Sequence, residues 1–357
     1  MTMKSVTKPD DMSVGADAVS ALVSGIRPHK KVGFANILTC LDASSQDGAV
    51  LAWANALSRY LHARLRALSV LETTPESAAP LDPINVEMRR LATVARIARL
   101  SAQAGLDEEA IAGIEVAVGP VQQRVTDCLG TRKVDLCVIS ANSEGKQSAR
   151  VLGDMARHIV ETAPCSVLLV PPSTSGAAAP TSIAIRRLMV PLDCSRRAES
   201  ALPAAIAIAD AFDAETVMAH ALPEPMITEI GPPDATGIAL RQTVAKHNHD
   251  AAARYMSLLR ARLVLERRAI RTLIVNGADP RHRLARVASE EAIDLVVISA
   301  KGAGSYADQR LGSVTDYLVN HIRLPLLIVR AGCTGQSSVD IPMRPSGAER
   351  LRPDSQT

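Results

Sequence analysis

The stretch Asp135-Leu-Cys-Val-Ile-Ser-Ala141 returns 159 positions later as Asp294-Leu-Val-Val-Ile-Ser-Ala300. An aliphatic run this short, opened by an acid and closed by small residues, reads as a strand buried on both faces. The same offset carries Gly153 onto Gly312 and Val170 onto Val329. One fold unit has been duplicated, and each copy serves as a control for the other. Where the copies agree, the fold is the reason; where they differ, chemistry is.

Working outward, each copy alternates apolar strand runs with helical spacing. In the first copy the strands are Ile37–Leu41, Leu65–Leu71, Ile114–Val118, 135–141 and Val167–Val170, with helices over 46–63, 83–105, 120–133 and 153–163. In the second they are Leu188–Leu192, Thr216–Leu222, Arg271–Val275, Leu295–Ser299 and Leu326–Val329, with helices over 197–212, 236–268, 280–292 and 313–322. Near-continuous aliphatic strands separated by helices predict a parallel sheet covered on both faces. Right-handed crossovers make each half a doubly wound, Rossmann-like α/β layer. The expected division is a first domain over 34–172, a Pro/Ser/Gly/Ala-rich linker over 173–184 and a second domain over 185–331. Tails over 1–33 and 332–357 lack sustained periodicity and are expected to be disordered.

Apolar residues make up 47% of the chain but aromatics only 2%, so Ala, Val, Leu and Ile must pack both cores. The formal charge is +3, and the first 33 residues carry +2 of it. The folded body is therefore near neutral and has few rings for base stacking, which excludes a nucleic-acid surface. No apolar run approaches the roughly 18–20 residues that span a bilayer. The N-terminus MTMKSVTKPDDMSVG lacks the apolar core of a secretion signal. Six cysteines without a CxxC pair fit buried thiols in a reducing cytoplasm.

In an open parallel sheet, ligands gather at the carboxyl ends of the strands, where strand order reverses. The first strand of each copy ends in an acid, as Leu41-Asp42-Ala-Ser44 and Leu192-Asp193-Cys-Ser195. Such a carboxylate can accept from a ribose or help hold a metal; equally, the Asp and Ser can cap the following helix. The fourth strand of the second copy leads into Ser299-Ala-Lys-Gly302-Ala-Gly304, then Gly312-Ser313-Val-Thr315. Gly302 lets the backbone approach an anion closely, and Gly312-Ser313 opens a helix whose free amides suit a phosphate. The competing reading makes Ser313 an N-cap, with Asp316 completing a capping box. No dinucleotide fingerprint, P-loop or nucleophile elbow occurs, which disfavours dehydrogenases, P-loop NTPases and triad hydrolases.

Tandem α/β units with Asp-x-Ser after the first strand, and Ser299-x2-Gly302-x9-Gly312-Ser313 before a final strand, resemble the universal stress protein family. The resemblance covers about 34–172 and 185–331 and implies five parallel strands per domain in the order 3-2-1-4-5. It also implies ATP, with or without Mg2+, held by Asp193, Ala221, Ser299, Gly302, Gly312, Ser313 and Val314. Ser299 stands where the family pattern has its first glycine, and its side chain is expected to crowd the approach of a phosphate. The first copy departs further: Ser140-x2-Ser143-x9-Gly153-Asp154 lacks both leading glycines. Asp154 is expected to cap its helix and repel a triphosphate, so nucleotide binding falls to the second copy alone.

The resemblance thus implies a non-enzymatic, ATP-binding regulator of the stress response, without efficient hydrolysis and with a protein partner the sequence does not name. The alternative is a ligand-free scaffold with relic loops. The apolar fifth strands, Val167–Val170 and Leu326–Val329, are expected to pair, either within one chain as a pseudo-dimer or between chains of a homodimer.

Overall fold

The computed structural model describes residues 33–72, 82–106, 111–142, 152–172, 182–225, 234–264, 269–277, 279–304 and 309–330. The tails and most of the linker lie outside these residues, as do Ser143 and Glu144 of the first copy's loop. The first copy runs β1 (Asn36–Leu41), α1 (Asp47–Leu61), β2 (Arg64–Leu71), α2 (Pro83–Gln103), β3 (Ile111–Val118), α3 (Val121–Thr131), β4 (Leu136–Ser140), α4 (Asp154–Thr162) and β5 (Ser166–Val170). The second runs β6 (Arg187–Pro191), α5 (Arg196–Glu199), α6 (Leu202–Phe212), β7 (Glu215–Pro223), α7 (Ala235–Val264), β8 (Ile270–Gly277), α8 (Pro280–Glu290), β9 (Leu295–Ser299), α9 (Ser313–His321) and β10 (Leu326–Val329).

The strands form one ten-stranded sheet in the order β3-β2-β1-β4-β5-β10-β9-β6-β7-β8. Each half is parallel and follows the expected 3-2-1-4-5 pattern. The halves join through β5 and β10, antiparallel, with Leu168 opposite Leu327. Of the two pairings left open by the sequence, the structure takes the one within the chain. A homodimer through the fifth strands is therefore corrected, because β4 and β10 already occupy both edges of β5.

Side chains alternate across the sheet, so each face receives its own core. Ile37, Leu136, Val138, Leu295 and Val297 pack with α1, α2, α6 and α7 on one face. Leu38, Cys137, Ile139, Val296 and Ile298 pack with α3, α4, α8 and α9 on the other. Both cores run through the two copies without interruption.

The acid that opens the repeated heptapeptide has a structural task. Asp135 Oδ2 accepts from the amides of Ala35 and Asn36 at 2.9 and 2.8 Å, and Asp294 Oδ2 accepts from those of Arg186 and Arg187 at 2.7 and 2.9 Å. Each acid thereby ties the start of its copy's first strand to the start of the fourth. The duplication extends to strained backbone: Ala43 and Cys194, His62 and Asp213, and Lys133 and Ala292 form matched pairs with positive φ.

One expected element is broken. The helix over 197–212 divides at Ser200-Ala201 into α5 and α6. Ser200 and Ala201 close tight turns onto the carbonyls of Arg197 and Ala198, and Pro203 has no N–H to continue the ladder.

Candidate functional site

At the carboxyl ends of β6, β7 and β9, between the N-termini of α8 and α9, lies a cavity of about 300 Å³. Its position is the point where strand order reverses in the second copy, since β6 neighbours both β7 and β9. All seven residues singled out in the sequence line it: Asp193, Ala221, Ser299, Gly302, Gly312, Ser313 and Val314. They converge from segments more than a hundred residues apart. Apolar wall comes from Pro191, Leu192, Ala198, Leu284 and Ile298.

Each residue is placed by a local cause. After β6 the chain turns through Cys194 at φ 62°, and Ser195 caps α5 by accepting from the amide of Ala198 at 3.1 Å. The cap is therefore Ser195 alone. Asp193 Oδ1 accepts from the Ser195 amide at 3.0 Å, while Oδ2 reaches across the crevice to the Ala303 amide at 2.6 Å. Gly302 makes that reach possible, because a Cβ there would overlap Asp193 Oδ2. The anion that the loop backbone approaches in this structure is the protein's own carboxylate.

Gly312 is held by the fold. Its amide donates to the Ala300 carbonyl at 2.8 Å, as the Gly153 amide donates to Ala141 at 2.9 Å in the first copy. Gly312 is also the N-cap of α9, with φ −74° and ψ 154°, and Ser313 is the first helical residue. This removes the reading of Ser313 as N-cap. The exposed Ser313 hydroxyl and the first-turn amides of Ser313, Val314 and Thr315 have no hydrogen-bond acceptor among the described residues. These groups, with the positive helix end, are what an incoming anion would meet.

Ser299 also serves the fold. Its hydroxyl donates to the Lys301 carbonyl at 3.0 Å, as Ser140 donates to Asn142 at 2.8 Å. It lies 3.2 Å from the Ser200 hydroxyl, and the Ser299 carbonyl accepts from Thr315 Oγ1 at 2.9 Å. The hydroxyl is thus committed to its own turn.

The residue before Ala221 was not among the candidates for its side chain. His220 is buried in the cavity wall, and its Nδ1 lies 2.7 Å from the Leu192 carbonyl, which it can only approach as a donor. Its Nε2 lies 3.8 Å from the Cys194 sulfur. The signal was a lone histidine inside the aliphatic strand Thr216–Leu222. Cys194 is exposed, yet partial desolvation and the nearby carboxylates of Asp193 and Glu199 raise its pKa, so it stays a thiol. The basic cluster after Asp279 is used locally. Arg281 pairs with Asp279 at 2.8 Å, holding that carboxyl at about 2, and Arg283 pairs with Glu290 at 3.3 Å.

The first copy repeats the frame with different charges. Asp42 Oδ1 accepts from the Ser44 amide at 3.1 Å, matching Asp193 and Ser195. Five positions on, where the second copy has cavity-lining Ala198, the first has Asp47, which is 2% exposed. The Asp47 carboxylate accepts from the amides of Asp42 and Ala43 at 3.2 and 3.1 Å and meets Arg96 at 2.7 Å. Burial outweighs Arg96 and pushes its pKa up to about 6. In α4 the N-cap is Gly153, and Asp154 is the first helical residue rather than the cap expected from sequence. Its charge still lies in the first turn, where the second copy has Ser313.

Among the described residues no helix is long and apolar enough to cross a membrane, and no cluster of three or more metal-binding side chains occurs. The universal stress protein Rv2623 of Mycobacterium tuberculosis is 25% identical over 201 residues, which is 56% of this chain and 62% of that protein. The match thus spans less than two thirds of that relative's length. A universal stress protein from Archaeoglobus fulgidus superposes with a TM-score of 0.57 at 18% identity, over 85% of this chain and 100% of that one. A functionally unknown protein of Pseudomonas aeruginosa, PA1789, superposes with a TM-score of 0.57 at 12% identity, over 85% and 95%. At such identities the likeness speaks for the fold alone. The universal stress protein family model matches residues 33–171 and again 184–330, and the chain belongs to that family.

Proposed function

We propose that the second copy binds one adenine nucleotide, ATP, with or without Mg2+, and that occupancy regulates the protein in a stress response. The first copy then serves as structural partner. The observation that carries this reading is the cavity at the switch point, floored by the unpartnered amides of Ser313, Val314 and Thr315. A polyphosphate suits such a floor, because amides and helix end favour negative charge without a counter-ion. The apolar wall by Ala221, Leu284 and Ile298 suits a purine face. Asp47 and Asp154 argue against the same use of the first copy, where an anion would meet carboxylates.

Binding rather than catalysis is the better reading of the cavity's titratable groups. Asp193 is engaged by two amides, and His220 Nδ1 by the Leu192 carbonyl, so neither is poised beside an open nucleophile site. The intact protein should be purified without added nucleotide, denatured, and its supernatant analysed by mass spectrometry, with ATP and Mg2+ added back to a parallel sample. Adenine nucleotide approaching one equivalent per chain is expected in one or both. A folded protein that carries none and takes up none at millimolar ATP would be a scaffold instead.

A further inference from the structure

A second cavity, of about 270 Å³, lies where α1 ends and β6 is about to begin, away from the carboxyl ends of the strands. The last turns of α1, Ala104 at the end of α2 and the Ser182-Ile183 segment before β6 enclose it. Ala52, Ala56, Ala104 and Ile183 give it apolar walls. Two polar residues line the same space, and the fold does not use either one fully. Asn55, 6% exposed, donates from Nδ2 to the Ala104 carbonyl at 3.0 Å. Its Oδ1 is buried without a hydrogen-bond partner among the described residues. Arg59 is exposed, and its guanidinium has neither acid nor acceptor among the described residues.

Comparison of the copies shows that the fold requires neither residue. At the offset that carries Asp42 onto Asp193 and His62 onto Asp213, Asn55 becomes Ile206 and Arg59 becomes Asp210. A basic residue in a last turn complements the helix dipole, which accounts for Arg59 but not for the amide beside it. A buried acceptor without a donor costs stability, and an occupant that supplies the donor recovers it. Asn55 and Arg59 stand one helical turn apart on the same face of α1. An occupant that satisfies both carries an acid for the guanidinium and a neutral donor some atoms away, with an apolar body between them.

We propose that this cavity is a second ligand site, particular to the first copy, for a small organic acid with a neutral O–H or N–H donor at the end opposite its carboxylate. Arg59 holds the carboxylate in two parallel bonds, and Asn55 Oδ1 accepts the donor after a small turn of its amide. The alanines and Ile183 pack on the body between. The site is independent of the nucleotide reading and gives the first copy a ligand of its own beside its structural part. Tyr60, also in the lining, packs on Phe212 of the second copy with ring centroids 4.1 Å apart. The occupant therefore lies against a contact between the copies.

A ligand-observed NMR titration of the full chain with 4-hydroxybenzoate tests this. One control is 4-methylbenzoate, which lacks the donor, and the other is 4-methylphenol, which lacks the acid. The original protein should bind 4-hydroxybenzoate with a Kd below about 1 mM, about tenfold more tightly than either control. Arg59→Gln should weaken both acids by about tenfold or more, and Asn55→Leu should erase the preference for the hydroxyl. Because Arg59 is exposed, Arg59→Gln keeps the test decisive even if Asn55→Leu fails to fold. Binding no tighter than that of the controls, or unchanged in Arg59→Gln, would overturn the proposal, as would a hydroxyl preference that survives in a folded Asn55→Leu. No binding at millimolar 4-hydroxybenzoate would overturn it too, and would leave water as the partner of Asn55.

Discussion

Asp42 and Asp193 end equivalent strands, make the same bond to the amide two residues on, and then part company. Among the differences that follow, the fifth position carries a new charge: Ala198 lines the second copy's cavity, whereas Asp47 places a buried carboxylate against the Asp42 and Ala43 amides. The buried Asp47 gives this difference a pH signature. Its folded pKa of about 6 lies above the ordinary aspartate value of 3.8, so the folded chain holds the proton more tightly than the unfolded one. The stabilisation is fully present below pH 3.8 and is lost as pH rises through 6. Across that window stability should fall by about 3 kcal/mol, and Asp47→Asn should remove the slope. Urea unfolding at several pH values checks this; an identical pH profile in the variant would contradict it.

Residue patterns made much of the site legible, and the reasons are physical. A glycine needed for close approach and a helix opening at Gly-Ser both leave marks in sequence, so Gly302, Gly312 and Ser313 could be named. Contacts between distant segments leave none. Neither the reach of Asp193 to Ala303 nor the pairing of Asp47 with Arg96 follows from spacing, and the division of labour within the loop was equally hidden. Gly312 and Ser299 repeat in the first copy the bonds that hold the turn, so their agreement reports the fold, as comparison of duplicates should.

Elements were easier to read than their ends. Strands β9 and β10 fall where aliphatic runs put them, because both faces of the sheet demand apolar side chains. The break between α5 and α6 was missed because the Ala-rich spacing runs straight through it, and only Pro203 marks the stop. The acid that opens each repeat is the clearest element-level device, since one carboxylate fixes two strand-leading amides. Asp294→Ala should cost about 2–3 kcal/mol, because charge-assisted bonds are lost and two amides are left without their acceptor. Asp135→Ala should cost a similar amount in the other copy. Chemical denaturation of each variant measures this; a change under about 0.5 kcal/mol would mean that water replaces the carboxylate without loss.

At the scale of the molecule, the antiparallel β5–β10 seam joins two five-stranded layers into one sheet with two continuous cores. Leu327 lies at its centre, 1% exposed and opposite Leu168. Leu327→Glu should destabilise the protein by about 3–5 kcal/mol, since a carboxylate there has neither water nor a cation. Leu240→Glu, on the exposed side of α7 where Leu240 is 52% exposed, should stay within about 0.5 kcal/mol. Unfolding curves for both variants test the seam, and equal effects would contradict it. The duplication therefore yields an asymmetric molecule. One half has a cavity at its switch point, while the other carries the buried carboxylate of Asp47 at the position of the cavity-lining Ala198 and the acid Asp154 at the position of Ser313.

That asymmetry is tested most directly by counting. Equilibrium dialysis of the intact chain against labelled ATP with Mg2+ should saturate at one nucleotide per chain, and Ser313→Asp should abolish uptake by placing a carboxylate on the α9 amides. Saturation at two per chain, or undiminished uptake by Ser313→Asp, would contradict the account.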